Sequence, residues 1–293
     1  MTDASNEVQE AGRYDYLSDP RPTDELIRIA LIGLAIDDDS DFDARPPVVK
    51  AGDRAICILH ARGNKEVLDA ATRLCDSAIP LERELGAHIL GQLGDGRPYR
   101  EECCDRLLPL LTDKNERVRL ETFYALGHLR NRHAHKALAS HAGDPDPKIR
   151  RAIAFALCGT THPDGIRALL GLMRAPEAET RDWATTGIGQ VTTIDGPDIR
   201  AALLDRTGDD DTITRAEALH GLALRKDHRA LPLLITELQG HLDPAHDREE
   251  KHLDYKFHDA ACAMLGWADD DWRQSDVAAL IGLLRALNAS TPE

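Results

Sequence analysis

Histidine and cysteine are the residues of this chain whose chemistry could serve metal binding or nucleophilic catalysis. The chain of 293 residues has 13 His and 6 Cys. Neither His-Glu-x-x-His nor paired Cys-x-x-Cys, the spacings that collect zinc ligands, occurs among them. Several His recur at intervals of five to six, which scatters side chains around a helix: His241, His246, His252 and His258. The sequence predicts no metal site, and these His are interpreted as polar surface residues.

Catalytic patterns are also missing from the sequence. It contains no serine in a nucleophile elbow, no Cys–His pair at a recognisable spacing and no phosphate-binding glycine loop. Most of the cysteines fall among apolar helical residues, where a free thiol acts as a small hydrophobe. We therefore predict no catalytic residue and no cofactor. The cysteines, together with the lack of an apolar leader or an eighteen-residue apolar run, predict a cytoplasmic protein.

Two acidic segments could carry function or could be solvated loops. Asp37–Asp39, with Asp41 and Asp43, lacks the glycine and the glutamate spacing of an EF-hand, which favours a charged loop over a Ca²⁺ site. Residues 240–255 form an acidic, His-rich insertion between repeats. Such insertions often carry function, although a long surface loop costs little free energy. The role of this insertion stays open.

The charge of the chain limits its partners. Lys and Arg number 36 and Asp and Glu 51, for a net charge of -15. Residues 1–46 carry 12 acids and 4 bases, residues 241–276 carry 10 acids and 4 bases, and residues 47–240 are nearly balanced. An acidic chain repels phosphate backbones and anionic lipid. We therefore predict no nucleic-acid partner and no membrane partner.

One short phrase recurs along the chain and defines its organisation. Each copy contains an Arg, or a His in the last copy. An aliphatic residue stands seven positions after it, and a small residue stands eight positions after it. The recurring positions are Arg83, Arg119, Arg150, Arg181, Arg215 and His258. Between copies lies a second apolar stripe at helical spacing, and Asp-Pro and Gly-Asp pairs separate the two. Each unit is therefore a hairpin of helix A, turn and helix B.

Stacked hairpins bury the apolar stripes that one hairpin leaves exposed. With an earlier unit at 23–62, the pattern predicts about seven hairpins and a capping helix over 276–287. The fold class predicted is all-α, a right-handed α-solenoid with the B helices on its concave side. Residues 1–20 lack periodicity and are predicted to be a loose arm. Residues 21–293 are predicted to be one solenoid, monomeric apart from a partner.

The unit resembles the HEAT repeat. The resemblance is carried by Asp-Pro-Asp-Pro-Lys-Ile-Arg at 144–150, followed by Ala152, Ala154, Ala156 and Leu157, and it covers roughly residues 64–268. It implies the α-solenoid fold. It says little about function, because HEAT arrays serve mainly as scaffolds.

A narrower resemblance joins two stretches to a bacterial family. The stretches run from Gly63 to Gln92 and from Arg181 to Asp227. That family is described either as putative lyases with HEAT repeats or as immunity proteins associated with Rhs toxins. The lyase description is borrowed from phycobilin-lyase (PBS-lyase) subunits that share the repeat. Membership implies a protein partner, a toxin, and little chemistry of the chain's own.

The recurring arginines are predicted to form a structural ladder. One Arg stands near the start of each B helix, with an aspartate in the preceding turn at Asp113, Asp146 or Asp210. The guanidinium can bridge a neighbouring carboxylate and a loop carbonyl. We expect partial burial and a role in stability for five residues: Arg83, Arg119, Arg150, Arg181 and Arg215. A ligand-binding stripe is the alternative.

Positions two, five and nine after each Arg are expected to face the concave groove and hold a partner there, because aromatic residues anchor interfaces. Asp182, beside Trp183, is added to these positions. Packing against the adjacent B helix is the competing interpretation. The candidate binding residues are His88, Glu121, Tyr124, His128, Phe155, Asp182, Trp183, Gln190, Glu217, His220 and Trp267.

Two hypotheses of different classes follow from these observations. The first is a non-catalytic scaffold that binds another protein, as the immunity partner that occludes a basic toxin, since complementary fields speed encounter. The second is a HEAT enzyme or enzyme subunit, lyase-like or DNA-glycosylase-like, with a pocket lined by Trp183, Tyr124 and Phe155. Asp182 and Trp183 could mimic the groove residues of such glycosylases, but the charge has the wrong sign for phosphate.

Overall fold

The computed structural model describes residues 16–36, 40, 44–94, 96, 98–242, 254–267 and 276–290. Within these ranges the regular structure consists of fifteen α-helices and short 3₁₀ and π turns, without a strand. Contacts divide the chain into two compact units, Met1–Asn131 and Arg132–Glu293. We call them unit 1 and unit 2.

Unit 1 contains three helical hairpins. Their A and B helices are, in order, α1 Thr23–Leu34 and α2 Pro47–Arg62, α3 Lys65–Cys75 and α4 Pro80–Gly91, α5 Arg100–Leu107 and α6 Glu116–Leu129. A 3₁₀ segment, Leu108–Thr112, continues α5. Another, Tyr16–Ser18, precedes α1 and contacts α2.

Unit 2 contains four hairpins and a last helix. The pairs are α7 His135–Ser140 and α8 Pro147–Ala156, α9 Pro163–Leu172 and α10 Ala178–Thr186, α11 Pro197–Arg206 and α12 Thr212–Leu224, α13 Leu231–His241 and α14 Asp254–Leu265. The last helix, α15 Val277–Ser290, packs against α13 and α14 and covers this end of the stack.

Side-chain caps and prolines fix where several A and B helices begin. Asn115 accepts hydrogen bonds from the backbone N–H groups of Arg117 and Val118, and Asp146 and Asp211 cap α8 and α12 in the same way. Such caps satisfy N–H groups that the helix itself leaves unpaired. Proline, whose missing N–H costs nothing at this position, is the first residue of five helices: α2, α4, α8, α9 and α11.

Small residues let consecutive B helices approach backbone to backbone. In unit 1 a Cβ atom added to Gly91 would lie 2.7 Å from Cα of Ala125. In unit 2 a Cβ atom added to Gly221 would lie 2.6 Å from Cα of Gly189. Neither position can hold a side chain, so small residues set the spacing of the helices at these two contacts.

Leucine, isoleucine and alanine fill the interior between the helices. Phe123 and Phe257 are the fully buried aromatic side chains within the described ranges. Each buried leucine contributes roughly 2 kcal/mol from area removed from water. An aliphatic core of this kind explains the low aromatic content of 4%.

The predicted count of seven hairpins and one capping helix is confirmed. The earliest hairpin and the cap begin within one residue of their predicted starts, at Thr23 and Val277. Of the arm predicted over 1–20, residues 1–15 lie outside the described residues. In the remainder, Asp19 accepts from Arg21 at 2.7 Å and Arg62 donates to its carbonyl at 2.7 Å, so these residues are held rather than loose. Most of the 240–255 insertion, and all the aspartates of 37–43, also fall outside the described ranges.

Candidate interaction surface

The five ladder arginines share one contact. Each donates from Nη1 to a backbone carbonyl six residues earlier, in the turn before its own B helix. The donor–acceptor distances are 2.9 Å for Arg83 to Ser77, 2.8 Å for Arg119 to Asp113, 2.8 Å for Arg150 to Asp144, 3.2 Å for Arg181 to Ala175 and 3.0 Å for Arg215 to Asp209.

Four of these arginines also reach a carboxylate of the following hairpin. Arg83 donates two hydrogen bonds of 2.7 and 2.8 Å to the carboxylate of Asp113, and Arg181 donates two of the same lengths to Asp209. The other two pairs are Arg150 with Glu177 and Arg215 with Glu237. Bidentate, charge-assisted pairs are the strongest hydrogen bonds in proteins. These four arginines therefore tie α4, α8, α10 and α12 to the next hairpin of the same unit.

The aspartates play different parts from those expected. Asp113 accepts from Arg83, one hairpin earlier, and offers its carbonyl to Arg119. Asp146 caps α8 through the N–H of Lys148. Asp210 binds Arg181 only beside the main partner, Asp209. The carboxylate that an arginine binds therefore lies one position or one hairpin away from the expected aspartate, because the guanidinium extends toward the following hairpin.

We define the B-helix face as the accessible side of the B helices within one unit. In unit 1 this face carries a row of three side chains in contact, one each from α2, α4 and α6. We call such a row of contacts across neighbouring helices a rung. The rings of His60 and His88 stack with centroids 5.5 Å apart, and His88 Nδ1 lies 3.2 Å from Glu121 Oε1. Burial lowers the pKa of His88, but the hydrogen bond and charge of Glu121 outweigh it and raise the pKa overall. His88 and Glu121 thus pair with each other.

Unit 2 carries a corresponding rung on α10, α12 and α14. Glu217 accepts from the side-chain amide of Gln190 and from the ammonium of Lys256. It is only 4% exposed, which corrects the expectation that it faces a groove. Buried carboxylates require such partners. Glu217 and Gln190 therefore join neighbouring helices.

Asp182, beside this rung on α10, is compensated much less well. Its Oδ1 atom is inaccessible to solvent and has no hydrogen-bond partner. Burial and the negative charge of Glu217 raise the pKa of Asp182 to about 6, although Lys256 opposes the change. Lys256 is bound to Glu217, so the nearest cation does not pair with Asp182.

Trp183 follows Asp182 and is an exposed aromatic residue on α10. Its side chain is 38% exposed, and Phe155 of α8 meets its ring edge-on with centroids 5.1 Å apart. Such T-shaped pairs are favourable beyond the area they bury. The ring of Phe155 therefore supports Trp183 in a position that solvent can reach.

The remaining candidates lie at the surface of their own units. In unit 1 Tyr124 is half-buried and His128 is exposed. In unit 2 His220 and Trp267 are half-buried. Other positions two after the Arg are buried in the seam between helices: Leu85, Ala152 and Ala260.

Sequence reasoning missed two cations of unit 2. Lys256 lies on α14 and binds Glu217 of α12, and no spacing in the sequence marked this contact between two helices. Arg225 donates to the carbonyls of Ile188 and Gly189 at 2.7 and 2.5 Å, in the π turn Gly187–Val191 that ends α10. A π turn often marks a functional position. Here it carries Gln190, the partner of Glu217.

Three pockets lie away from Phe155, Trp183 and Tyr124, the residues expected to line an enzyme pocket. One, of about 370 Å³, is formed by α2 and Tyr16, and two, of about 430 and 380 Å³, lie beside α9. The described residues include no group of three His, Cys, Asp or Glu placed to hold a metal ion. Nor does any helix in the described ranges have the length and apolar character needed to cross a membrane.

Comparisons with known proteins agree with this architecture. A sequence profile described as HEAT repeats matches residues 87–158, 104–189 and 135–211. Protein YibA of Escherichia coli strain K12 is 28% identical over 193 residues, which is 62% of this chain and 67% of YibA. The X-ray structure of Escherichia coli YibA has a TM-score of 0.61 at 21% identity, over 97% of this chain and 98% of that one.

A Kap121p mutant is also similar in fold. Its TM-score is 0.63 at 16% identity, and the match covers 90% of this chain and 30% of that one. The chain matches HEAT repeats over residues 87–211, and its fold is an α-solenoid. The resemblance to HEAT repeats and the fold class expected from the sequence are confirmed.

Proposed function

We propose that this protein is a non-catalytic scaffold that binds another protein through the B-helix face of unit 2. The observation that carries the proposal is the exposed Trp183, supported edge-on by Phe155 and adjacent to the poorly compensated Asp182. Rigid aromatic residues beside charged groups are typical anchors of protein interfaces. Arginine pairs and backbone contacts fix the helices that present them.

The partner we propose is a basic toxin, and the protein would be its immunity partner. Support comes from the net charge of -15 and from the sequence resemblance to Rhs immunity proteins. Opposite fields accelerate association and disfavour wrong partners. Occlusion of the toxin by a helical surface requires no catalytic group on this chain. The proposed compartment is the cytoplasm, where the free thiols of the six cysteines would stay reduced.

The test is direct binding to the protein encoded beside this one in its genome. We expect a complex at micromolar concentration or tighter by calorimetry, and protection of cells that express the toxin. Trp183→Ala should weaken binding at least about tenfold, since truncated anchors cost 2 kcal/mol or more. Leu283→Ala, which removes an exposed side chain from α15, is the matched control.

Two results would contradict the proposal. One is the lack of a complex with any toxin-like neighbour. The other is equal affinity for the Trp183→Ala variant and the parent protein. A base-excision assay on alkylated DNA tests the glycosylase-like alternative, and uptake of a bilin chromophore tests the lyase-like one. Either activity would replace the scaffold proposal.

A further inference from the structure

The accessible stripe of α10 combines an aromatic ring with a carboxylate that lacks a partner. Its members recur three and four residues apart, at Glu179, Asp182, Trp183, Thr186 and Gln190, and none of them is fully buried. Residues at this spacing share one side of a helix. Asp182 and Trp183 therefore lie next to each other on this side of α10, with Asp182 half-buried and Trp183 exposed.

Neighbouring ion pairs use the other charges around this stripe. Arg151 of α8 is paired with Glu179, and Lys256 of α14 is paired with Glu217. Among the described residues Asp182 has no such ion pair, and its Oδ1 accepts no hydrogen bond from any of them. An ionised, partly buried carboxylate without a counter-ion is costly in a folded protein.

The contacts around Asp182 explain why the ammonium of Lys256 does not pair with it. Arg225 holds the carbonyls of the π turn after α10, and Gln190 of that turn binds Glu217. Glu217 in turn holds Lys256. This chain of contacts keeps the nearest ammonium on Glu217 and away from Asp182.

We propose that Asp182 and Trp183 form a seat for a single cationic side chain, an arginine, of the protein partner. The guanidinium would pair with the carboxylate of Asp182 and lie against the ring of Trp183, which Phe155 supports from its edge. Guanidinium groups bind carboxylates through planar hydrogen bonds and stack on aromatic rings, which an ammonium does less well. This inference rests on the proposed function, since it names what the partner inserts.

The seat can be tested with a small probe on the full chain. N-acetyl-arginine amide is titrated at about 150 mM salt, where long-range attraction to an acidic protein is screened. The signal is the indole N–H resonance of Trp183, assigned with Trp183→Phe. N-acetyl-citrulline amide is the neutral probe of the same shape, and N-acetyl-lysine amide tests the preference for guanidinium.

We expect a saturable shift with the arginine probe, a weaker response to the lysine probe and no shift with citrulline. Asp182→Asn should abolish the shift, whereas Asp198→Asn, at an exposed position on α11, should retain it. Amide spectra of both variants verify the fold. Equal shifts with arginine and citrulline, an unchanged response in Asp182→Asn, or no saturable shift would overturn the proposal.

Failure of the arginine seat and failure of the proposed function give different experimental results. If the arginine probe binds at Trp183 but no toxin-like neighbour binds, the seat stands and the toxin partner is wrong. If the neighbour binds and Asp182→Asn leaves its affinity unchanged, the scaffold proposal stands and the seat is wrong.

Discussion

Arg181 and Asp209 form a bidentate ion pair that links α10 to the turn before α12, with side chains 9% and 1% exposed. Burial disfavours the charge on Asp209, but hydrogen bonds from Arg181 and from the Asp211 backbone hold its pKa well below the ordinary range. Arg206 contributes a further hydrogen bond of 2.9 Å. The pair is the most buried rung of the arginine ladder.

Arg181→Met should destabilise the protein by about 3 kcal/mol, because it leaves the buried carboxylate of Asp209 with Arg206 as its remaining cation. Arg167→Met is the control. It breaks an exposed pair with Asp164 and should cost less than about 0.5 kcal/mol. Urea unfolding measures both. Equal losses in the two variants would contradict a stabilising ladder.

The pH dependence of Arg181→Met has a defined sign. The pKa of Asp209 is lowered in the folded protein, so its ionised form stabilises the fold above the ordinary aspartate pKa of about 3.9. That stabilisation is lost as the pH falls through the folded value. The difference between parent and Arg181→Met should therefore narrow below about pH 4 and be constant between pH 6 and 8.

Asp182→Asn should stabilise the protein above pH 6. The pKa of Asp182 is raised to about 6 by burial and by Glu217, so ionisation above that pH costs folding free energy. Other charged groups near it are Asp211, Glu179 and the attractive Lys256. After allowance for partial solvent screening, we expect a gain of about 1–2 kcal/mol at pH 7.5.

The same variant should show no gain at pH 4, where Asp182 is protonated in the folded protein. Urea unfolding at the two pH values checks this. A gain that does not change with pH would mean that the amide improves packing rather than removing a charge.

Glu121→Gln should lower the pKa of His88, since Glu121 is the hydrogen-bonded carboxylate that raises it. Because the folded pKa of His88 is raised, the pair stabilises unit 1 below the ordinary histidine pKa of about 6.5. That contribution disappears as the pH rises through the folded value. NMR titration of the His88 ring in the parent and in the variant measures the change, and an unchanged His88 titration would contradict the pairing with Glu121.

Gly221→Ala should destabilise the protein by about 2–4 kcal/mol, because the added methyl group would collide with the backbone at Gly189. Gly282→Ala in α15 is the matched control. A Cβ atom there meets no described atom within 4 Å, so better helix propensity should give a gain of about 0.5–1 kcal/mol. Thermal melting compares the two. A tolerated alanine at 221 would mean that the helices can separate without cost.

The sequence contained the helix pattern but not the side-chain partners. Apolar periodicity and turn residues predicted the hairpins, and the repeated Arg predicted a contact with a turn carbonyl. Burial of Glu217 could not be predicted, since it depends on Lys256 and Gln190 arriving from two other helices. The π turn after α10 depends on Arg225, about 35 residues further along the chain, and local propensity does not register such a contact.

The exposure of Trp183 could likewise not be predicted from the sequence. Positions two after the Arg hold Leu85, Ala152 and Ala260 in the seam between helices, and these residues are buried. Glu217 is also buried at such a position, whereas Trp183 is exposed and its ring packs edge-on with Phe155. Position in the repeat therefore does not by itself decide which member of the row reaches solvent.

Main-chain contact between Gly189 and Gly221 maintains the spacing of their helices, whereas recognition depends on exposed side chains. The chain thus meets these two requirements with different atoms. The distance between those two helices is set by atoms that every sequence shares, so side chains on the outer surface are not needed to maintain it. Residues such as Trp183 or Thr186 are then free to vary between relatives without shifting the frame. A lineage could thus change what it recognises one residue at a time while the architecture beneath stays constant.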